Sequence, residues 1–297
     1  MKAPVEFFTD IEDPRIERGK DHLLEDIIFI TIASVICGAE TWNDIENYGK
    51  AKEQWLKQFL KLSNGIPSHD TFNRVFSAIE PKQLEECFLN WVRSVSEITE
   101  GEIISIDGKT IRGSKNKASK SFVHMVSAWA NENHLLLGQI KIDDKSNEIT
   151  AIPKLLEVLA INGCIVTIDA IGCQTEIAEK IIEKEADYIL AVKGNQGTLE
   201  EGIRDTVKFT KPIDEYEETD FGHGRIETRK CTVYNDFSHI ENISRWKEIK
   251  SIAKVDAIRI IKNTGKEERE TRFYISSLKP DAIKIANGIR KHWGIEN

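Results

Sequence analysis

Two aspartates stand where carboxylates can do chemistry. The runs Ile103–Ile106 and Ile165–Ile168 have the β-branched composition of strands, and they are followed by Asp107 and Asp169. Ligands of an open α/β sheet bind at the carboxyl ends of its strands, so we expect the two side chains to face one another there. Two close carboxylates need a cation between them, since otherwise one is driven to protonate. The pattern is typical of two Mg²⁺ ions about 3.5–4 Å apart, as used in phosphodiester chemistry.

A simpler interpretation of each aspartate stays open. A single aspartate at a strand end more often caps the turn that follows it. Two of them on strands expected to be neighbours make the metal interpretation about as favoured as the capping one. The spacing alone therefore supports a metal-dependent nuclease only as a hypothesis.

Basic and amide side chains follow the same strands and suit phosphate binding. Lys109 and Arg112 come after the first aspartate, and Lys193 and Asn195 follow a short predicted strand that ends at the same sheet edge. Lysine and arginine provide most of the affinity of proteins for nucleic acid. The stretch after the first aspartate is equally typical of a solvated loop. Arg225 is a further candidate DNA contact, although we favour a hairpin that merely exposes it.

The charge of the chain does not exclude a nucleic-acid partner. The net charge of the 297 residues is −8, but the first hundred residues hold 11 basic and 18 acidic residues, which accounts for most of it. The remainder is nearly balanced, and an enzyme that places metal ions between carboxylates and phosphates needs both kinds of residue. Local basic patches therefore matter more than the total.

Composition and motif content indicate the class of protein and its cellular compartment. With 40% hydrophobic and 30% charged residues, the chain is predicted to be globular, cytoplasmic and not membrane-bound. Its five cysteines form no CxxC pair, so neither a disulfide framework nor a zinc site is indicated. The nucleotide-binding GxxxxGK[ST] motif does not occur, and the seven histidines lack metal-ligand spacing.

Residues 1–100 are predicted to form a helical domain. A turn with a proline precedes one of the short helices, and a DNA-binding helix-turn-helix is as favoured there as ordinary packed helices. The apolar periodicity indicates helices from Leu23 to near Gly38, Thr41 to Asn47, Lys52 to Leu62, Thr71 to Ile79 and Pro81 to about Val95.

From residue 101 onward the apolar residues recur with the alternating pattern of β-strands. The order strand, strand, strand, helix, strand, helix, strand predicts a ribonuclease-H-like α/β domain: three antiparallel strands, then parallel additions through helices. From about 205 to 280 we expect a β-rich insertion, and then a final helix from Asp281. The core elements after the first strand are Phe122–Ala130, His134–Ile142, the helix Ile149–Leu159, Cys164–Asp169, the helix Thr175–Glu185 and Tyr188–Val192. The insertion strands are Ile226–Tyr234, Val255–Lys262 and Glu270–Ser276.

Six motifs in order carry a resemblance to a known family. They are IDGKTIRGS (106–114), DKSNEITAIPKLL (144–156), TIDAIGCQ (167–174), DYILAVKGNQ (187–196), GHGRIETR (222–229) and IRKHWGIEN (289–297). The chain resembles the insertion-sequence transposases of the DDE superfamily, in the branch that contains the H-repeat-associated proteins. The N-terminal segments match as well, so the resemblance covers essentially the whole chain.

The resemblance implies a ribonuclease-H-like core with a DDE triad. The triad would be Asp107 in IDGK, Asp169 in TIDA and Glu296 in HWGIEN, binding two Mg²⁺ ions for which Mn²⁺ can substitute. His292 stands where an arginine is common in the superfamily, and is a candidate phosphate contact. The implied partner is double-stranded DNA, both element ends and target, bound by a homodimer.

The chain stops one residue after Glu296, where the family continues. On that ground we expect weak or no activity, which an efficient magnesium-dependent transposition assay would overturn. A degenerate DNA-binding protein that keeps the fold without catalysis is the main alternative to a transposase. A nuclease or resolvase without strand transfer is a further one.

Overall fold

A computed structural model describes residues 4–16, 20–95, 100–111, 123–142, 147–222 and 224–292. Two of the candidate site residues, Arg112 and Glu296, lie outside these ranges. The chain divides into two compact units, Met1–Val95 and Ser96–Asn297, and each is described by itself.

The described part of the first unit is helical. Thr41 begins α2 with a capping box, because its Oγ1 accepts from the amide of Asp44 while the Asp44 carboxylate accepts from the amide of Thr41. Ser68 caps α3 with its side chain alone, because its Oγ accepts from the amide of Thr71. The helices enclose an apolar core in which Ile27 and Phe72 are fully buried. The helices are α1 (Leu24–Ile36), α2 (Trp42–Leu56), α3 (His69–Phe76) and α4 (Pro81–Val95).

The expected helix from Lys52 to Leu62 is wrong. One helix, α2, runs without interruption across Gly49 and ends at Leu56. A Cβ atom at Gly49 would lie 2.7 Å from Cγ2 of Ile66, so this glycine permits a close approach of the chain rather than a break. After α2 the backbone turns, and Leu62 adopts a left-handed conformation with φ of 42°.

The second unit is a mixed α/β structure built on one large sheet. Within the described residues the strand order is β3-β2-β1-β4-β5-β9-β8-β7-β6. β2 lies antiparallel between β1 and β3, whereas β4 is parallel to β1 and β5 is parallel to β4. The first five strands therefore pair as the sequence predicts. The strands are β1 (Ile103–Ile111), β2 (Val123–Ala130), β3 (Leu135–Ile142), β4 (Ile165–Ile168), β5 (Asp187–Val192), β6 (Asp214–Gly222), β7 (Arg225–Tyr234), β8 (Ser251–Ile261) and β9 (Glu267–Ser276).

The β-rich region continues this same sheet. β9 pairs antiparallel with β5, and β8, β7 and β6 follow outward. The sequence did not predict β6, because almost every residue of DEYEETDFG is polar and the strand lies at an edge. It also did not predict the helix α7 (Gly197–Phe209), which follows β5 and precedes β6.

The described residues of the second unit also form α5 (Glu148–Val158), α6 (Thr175–Glu183) and α8 (Ala282–His292). Ile285 and Ile289 of α8 pack in one core cluster with Ile103 of β1 and Ile165 of β4. The last helix thus covers the sheet face that carries the candidate aspartates. Among the described helices none is long and apolar enough to cross a bilayer.

Candidate active site

The register of β1 and β4 brings Asp107 and Asp169 together. The strands are parallel, with Ser105 opposite Thr167 and Ile106 opposite Ile168. β4 ends there, so Asp107 and Asp169 are the next pair of residues in step. The expectation that β1 also ends at its aspartate is wrong, because β1 continues to Ile111 on the side of β2. Asp107 is therefore held within a strand, and Asp169 begins a turn.

Asp169 serves as the cap of that turn. Its backbone is extended, with φ of −67° and ψ of −179°, and its Oδ1 accepts a hydrogen bond of 3.1 Å from the amide of Ile171. A carboxylate has two oxygens and about four acceptor positions, so one hydrogen bond leaves capacity for other contacts. The capping and metal interpretations of Asp169 are therefore compatible.

Glu148 is a third carboxylate near Asp107 and Asp169, and its place there was not predicted from the sequence. It is the first residue of α5, and its carboxyl group lies against the Cα atom of Gly108, where a Cβ atom would overlap it. Burial raises the pKa of Glu148, and the negative charges of Asp169 and Asp107 raise it further. A glutamate in the first turn of a helix is ordinarily explained by the helix dipole. The signal that could have revealed it is Gly108, a glycine inside a strand where another group approaches closely.

The donor set suits a hard divalent cation. All three side chains offer carboxylate oxygens, which are the ligands that Mg²⁺ and Mn²⁺ prefer. Within the ranges that the structure describes, however, no group of three or more His, Cys, Asp or Glu side chains is close enough to hold a metal ion. The described residues therefore provide candidate carboxylates on β1, β4 and α5 but no complete set of metal ligands, and Glu296 lies outside them.

Replacing Glu148 with glutamine is expected to raise the melting temperature of the metal-free protein at neutral pH. A carboxyl group with a raised pKa costs stability once it ionises, so stability is intact at low pH and falls as the pH rises through the folded-state pKa. Glutamine keeps the shape and cannot ionise. We would measure both melting temperatures in EDTA between about pH 4 and about pH 8. The melting temperatures of the wild type and of Glu148→Gln should be equal at the acid end and should differ increasingly toward neutral pH.

The matched control is Glu176→Gln, which changes an exposed glutamate in the first turn of α6. Its melting curve should follow the wild type at every pH. Parallel curves for wild type and Glu148→Gln would show that Glu148 does not experience the charges of the two aspartates.

His292 is the last described residue of α8 and lies beside the candidate carboxylate Asp169. Its Nδ1 is 3.1 Å from Oγ1 of Thr167, two residues before Asp169. Burial lowers the pKa of His292, while the charge of Asp169 and a hydrogen bond to the Thr167 backbone raise it. The imidazole is therefore held near the site by β4 itself.

The structure places the other candidate residues differently. Lys109 is exposed on β1, two residues beyond Asp107 and hence on the same face. Lys193 is exposed immediately after β5. The side-chain amide of Asn195 donates to the carbonyl of Ala170 at 2.6 Å, so Asn195 braces the turn that Asp169 begins.

Two adjoining cavities lie along α8. The smaller, of about 100 Å³, is lined by Asp169, Lys193 and His292 among others. The larger, of about 270 Å³, shares Arg272, Tyr274 and Ile289 with it and extends over β6–β9. Its lining includes the arginines Arg225, Arg229, Arg259, Arg272 and Arg290. Arg225, which the sequence placed at the tip of a hairpin, is thus at the far end of a groove that begins at Asp169.

Several of these arginines are paired with acids. Arg229 and Arg290 both contact Asp220, at 2.8 and 2.6 Å, and both also contact Glu218. These pairs hold the pKa of Asp220 below its usual value. The groove therefore contains both signs of charge, with arginine the more frequent residue.

Comparison with known proteins matches both units. The model of a family described as DDE_Tnp_1-associated matches residues 5–92, and that of a family described as transposase DDE domain matches residues 98–297. The chain is 43% identical to "Putative transposase YncI" of Escherichia coli O157:H7, over all of this chain and 78% of that protein. It is 41% identical to "H repeat-associated putative transposase YhhI" of Escherichia coli K12, over all of this chain and 81% of that protein. A protein of Xanthobacter autotrophicus is 39% identical over 95% of this chain and 96% of its own length.

Proposed function

The chain belongs to the family of transposases with a DDE domain, and on that premise we propose that it is the transposase of an insertion sequence. Asp107, Asp169 and Glu296 are the proposed catalytic carboxylates. The observation that supports the proposal is the parallel register of β1 and β4, in which Ile106 is opposite Ile168, so that Asp107 and Asp169 are the next residues along the two chain segments.

The proposed chemistry has two steps. At an element end, water attacks phosphorus and the bond to the 3′-oxygen breaks, which leaves a 3′-hydroxyl and a 5′-phosphate. The freed 3′-hydroxyl then attacks a phosphorus of target DNA, and the 3′-oxygen of the target strand leaves. The second step exchanges one phosphodiester bond for another, so it needs no external energy source.

The proposed fold of the second unit is ribonuclease-H-like. Support comes from the order β3-β2-β1-β4-β5, with antiparallel pairing on one side of β1 and parallel pairing on the other. Helices α5 and α6 lie between β3, β4 and β5 in the chain, as crossovers to parallel strands require. In this proposal β6–β9 are the insertion, residues 101–297 form the catalytic domain, and residues 1–100 form a helical domain that contributes DNA binding.

Mg²⁺ is the proposed cofactor, with two ions held by Asp107, Asp169 and Glu296 and with Mn²⁺ able to substitute. When bound, the ions activate the attacking oxygen and stabilise the leaving one. Asp107 presents its carboxylate from a strand that pairs with β2 at that position, and Asp169 presents its own from a turn fixed by its hydrogen bond to Ile171. Glu148 adds negative charge from the side of α5.

The groove along α8 is the proposed path of the DNA backbone. Lys109 and Lys193 would contact phosphates near the cleavage position, and His292 lines the same cavity as Asp169. Arg225 would contact the backbone farther away. Asn195 is proposed to act mainly through the turn that it braces, and Arg112 remains a candidate contact outside the described residues.

The proposed substrates are double-stranded element ends and double-stranded target DNA, bound by a homodimer. Pairing of two ends requires two active sites, which a dimer supplies. Since the substrate is chromosomal, the proposed place of action is the nucleoid in the cytoplasm.

Removal of divalent cations is expected to abolish nicking. The substrate would be supercoiled plasmid DNA that carries both ends of the element encoding this chain. Nicking should stop in EDTA and return on addition of Mg²⁺ or Mn²⁺, because three carboxylates beside a phosphate repel it without a cation. Agarose gels that resolve supercoiled from open-circular DNA measure the result. Nicking that persists undiminished in EDTA would refute the metal-dependent mechanism.

A further inference from the structure

A row of polar side chains crosses the sheet directly behind the two aspartates. Nδ2 of Asn131 donates to Oγ of Ser105 at 2.9 Å, and Oγ1 of Thr167 donates to the same Oγ at 3.1 Å. Nδ1 of His292 then lies 3.1 Å from Oγ1 of Thr167. The row joins the turn after β2, strands β1 and β4, and the last residue of α8.

The middle of the row is fully enclosed. Ser105 is 0% exposed and Thr167 is 2% exposed. Hydroxyl groups in such a place are costly unless they are hydrogen-bonded, and here each is bonded to the other. Neither the apolar core nor the chemistry of the two aspartates accounts for hydroxyl groups at these positions, because valine or alanine would pack there as well.

The geometry relates the row to the active site. Ser105 precedes Asp107 by two residues, and Thr167 precedes Asp169 by two residues, so all four side chains lie on one sheet face. α8 covers that face, and His292 is its last described residue. The row is therefore the buried polar connection between the strands that carry the aspartates and the end of α8.

We infer that Ser105 and Thr167 are positioning residues, which fix the end of α8 over the two aspartates by holding His292. The inference rests on the proposed function, because the residue proposed as the third carboxylate, Glu296, follows His292 by four residues in the sequence. Removal of a group that orients the residues of a metal site by hydrogen bonding typically costs about 10- to 100-fold in metal affinity or activity.

Other contacts at the end of α8 are weaker anchors. Arg290 pairs with Glu218 and Asp220, and Lys291 pairs with Glu132. The paired side chains are between 19% and 51% exposed, and ion pairs at such positions are screened by solvent. Of these polar contacts, that of His292 with Thr167 is the least exposed, because Thr167 is 2% exposed, so we expect it to orient His292 on a helix that Ile285 and Ile289 anchor in the core.

The test removes one hydroxyl without changing the shape of the side chain. Thr167→Val should lower the rate of nicking of the element-end plasmid by about 10- to 100-fold and raise the Mg²⁺ concentration for half-maximal nicking, with an unchanged KM for DNA. Thr167→Ser restores the hydroxyl and should recover most of the rate. Thr232→Val is the matched control, since Thr232 is a buried threonine of β7 that donates to the carbonyl of Lys254.

A readout that needs no catalysis accompanies the assay. In ¹⁵N-labelled protein, the ring nitrogens of His292, assigned with His292→Gln, should show one fixed tautomer in the wild type. They should show averaging between tautomers in Thr167→Val but not in Thr232→Val. An unchanged His292 spectrum or unchanged nicking in Thr167→Val would overturn the inference, as would equal losses in the two valine variants.

The two proposals can fail separately. If the wild type does not nick DNA, while Thr167→Val still frees the His292 ring, the proposed function fails and the positioning of His292 by Thr167 stands. If the wild type nicks DNA and Thr167→Val matches it in rate and metal requirement, the proposed function stands and the positioning inference fails.

Discussion

Asp107→Asn and Asp169→Asn are each expected to lower the rate of DNA nicking by about 10³-fold or more. Each substitution keeps the shape of the side chain and removes its charge. A metal ion contributes several kcal/mol to charge stabilisation in such reactions, and about 4 kcal/mol corresponds to three powers of ten in rate. Single-turnover nicking of the element-end plasmid in Mg²⁺ measures the loss.

Asp169→Asn also separates the two interpretations of that residue. Its Oδ1 accepts from the amide of Ile171, and the carbonyl oxygen of asparagine can accept the same hydrogen bond. If Asp169 serves only as a cap, the variant should retain both its melting temperature and its activity. We expect it to retain the melting temperature and to lose the activity.

The matched control is Asp205→Asn on α7, an exposed aspartate of the same unit. It should nick DNA at the wild-type rate. Wild-type rates in Asp107→Asn or Asp169→Asn would exclude the proposed active site, and a loss in Asp205→Asn would show that the assay responds to charge in general.

The second large effect is expected in the helical unit. Phe72→Ala should lower the free energy of unfolding by about 3–5 kcal/mol, because truncation of a buried phenylalanine removes apolar contact and leaves a cavity. Phe72 is 0% exposed and belongs to the core cluster formed by α1, α2 and α3. Domains are stable by only about 5–15 kcal/mol, so the loss is a large share. Urea denaturation followed by circular dichroism at the helix band measures it.

Phe59→Ala is the control for that substitution. Phe59 is 48% exposed and stacks on Phe29 with ring centroids 6.1 Å apart, so its truncation should cost well below the loss at Phe72. Equal losses at the two positions would contradict the core assigned to this unit.

The strands that carry the candidate aspartates were predictable because their residues are mostly β-branched and apolar. Ile165–Ile168 are all buried, and such a run reads as an interior strand from sequence alone. The predicted strand order made β1 and β4 parallel neighbours, as the structure shows, and from that order we predicted that Asp107 faces Asp169. The exact end of β1 was not predictable, because its pairing with β2 extends beyond the point where β4 stops.

Glu148 was missed because its role depends on tertiary structure. Glu148 follows the N-cap residue Asn147 and lies in the first turn of a helix. Acidic residues are common at that position in any helix, so the sequence does not single it out. Only the packing of α5 against β1 brings its carboxylate to Gly108. The polar row behind the site was missed for the same reason, since Ser105, Thr167 and His292 are far apart in the chain.

The edge strand β6 and the uninterrupted helix α2 are two elements that the periodicity of apolar residues did not predict correctly. β6 is held by pairing with β7 and by ion pairs such as Lys230 with Glu215, so it needs no apolar face that a pattern could reveal. In α2, Gly49 is required because Ile66 packs closely against it. A prediction from local sequence alone treats such a glycine as the end of a helix.

A divalent cation held by Asp107 and Asp169 should be directly visible by crystallography. Crystals soaked in Mn²⁺ should show an anomalous difference peak between the two carboxylates, within coordination distance of an oxygen from each. Asp107→Asn crystals soaked in the same way should lose it. Well-ordered carboxylates with no peak between them, in protein that still nicks DNA in Mn²⁺, would contradict the account.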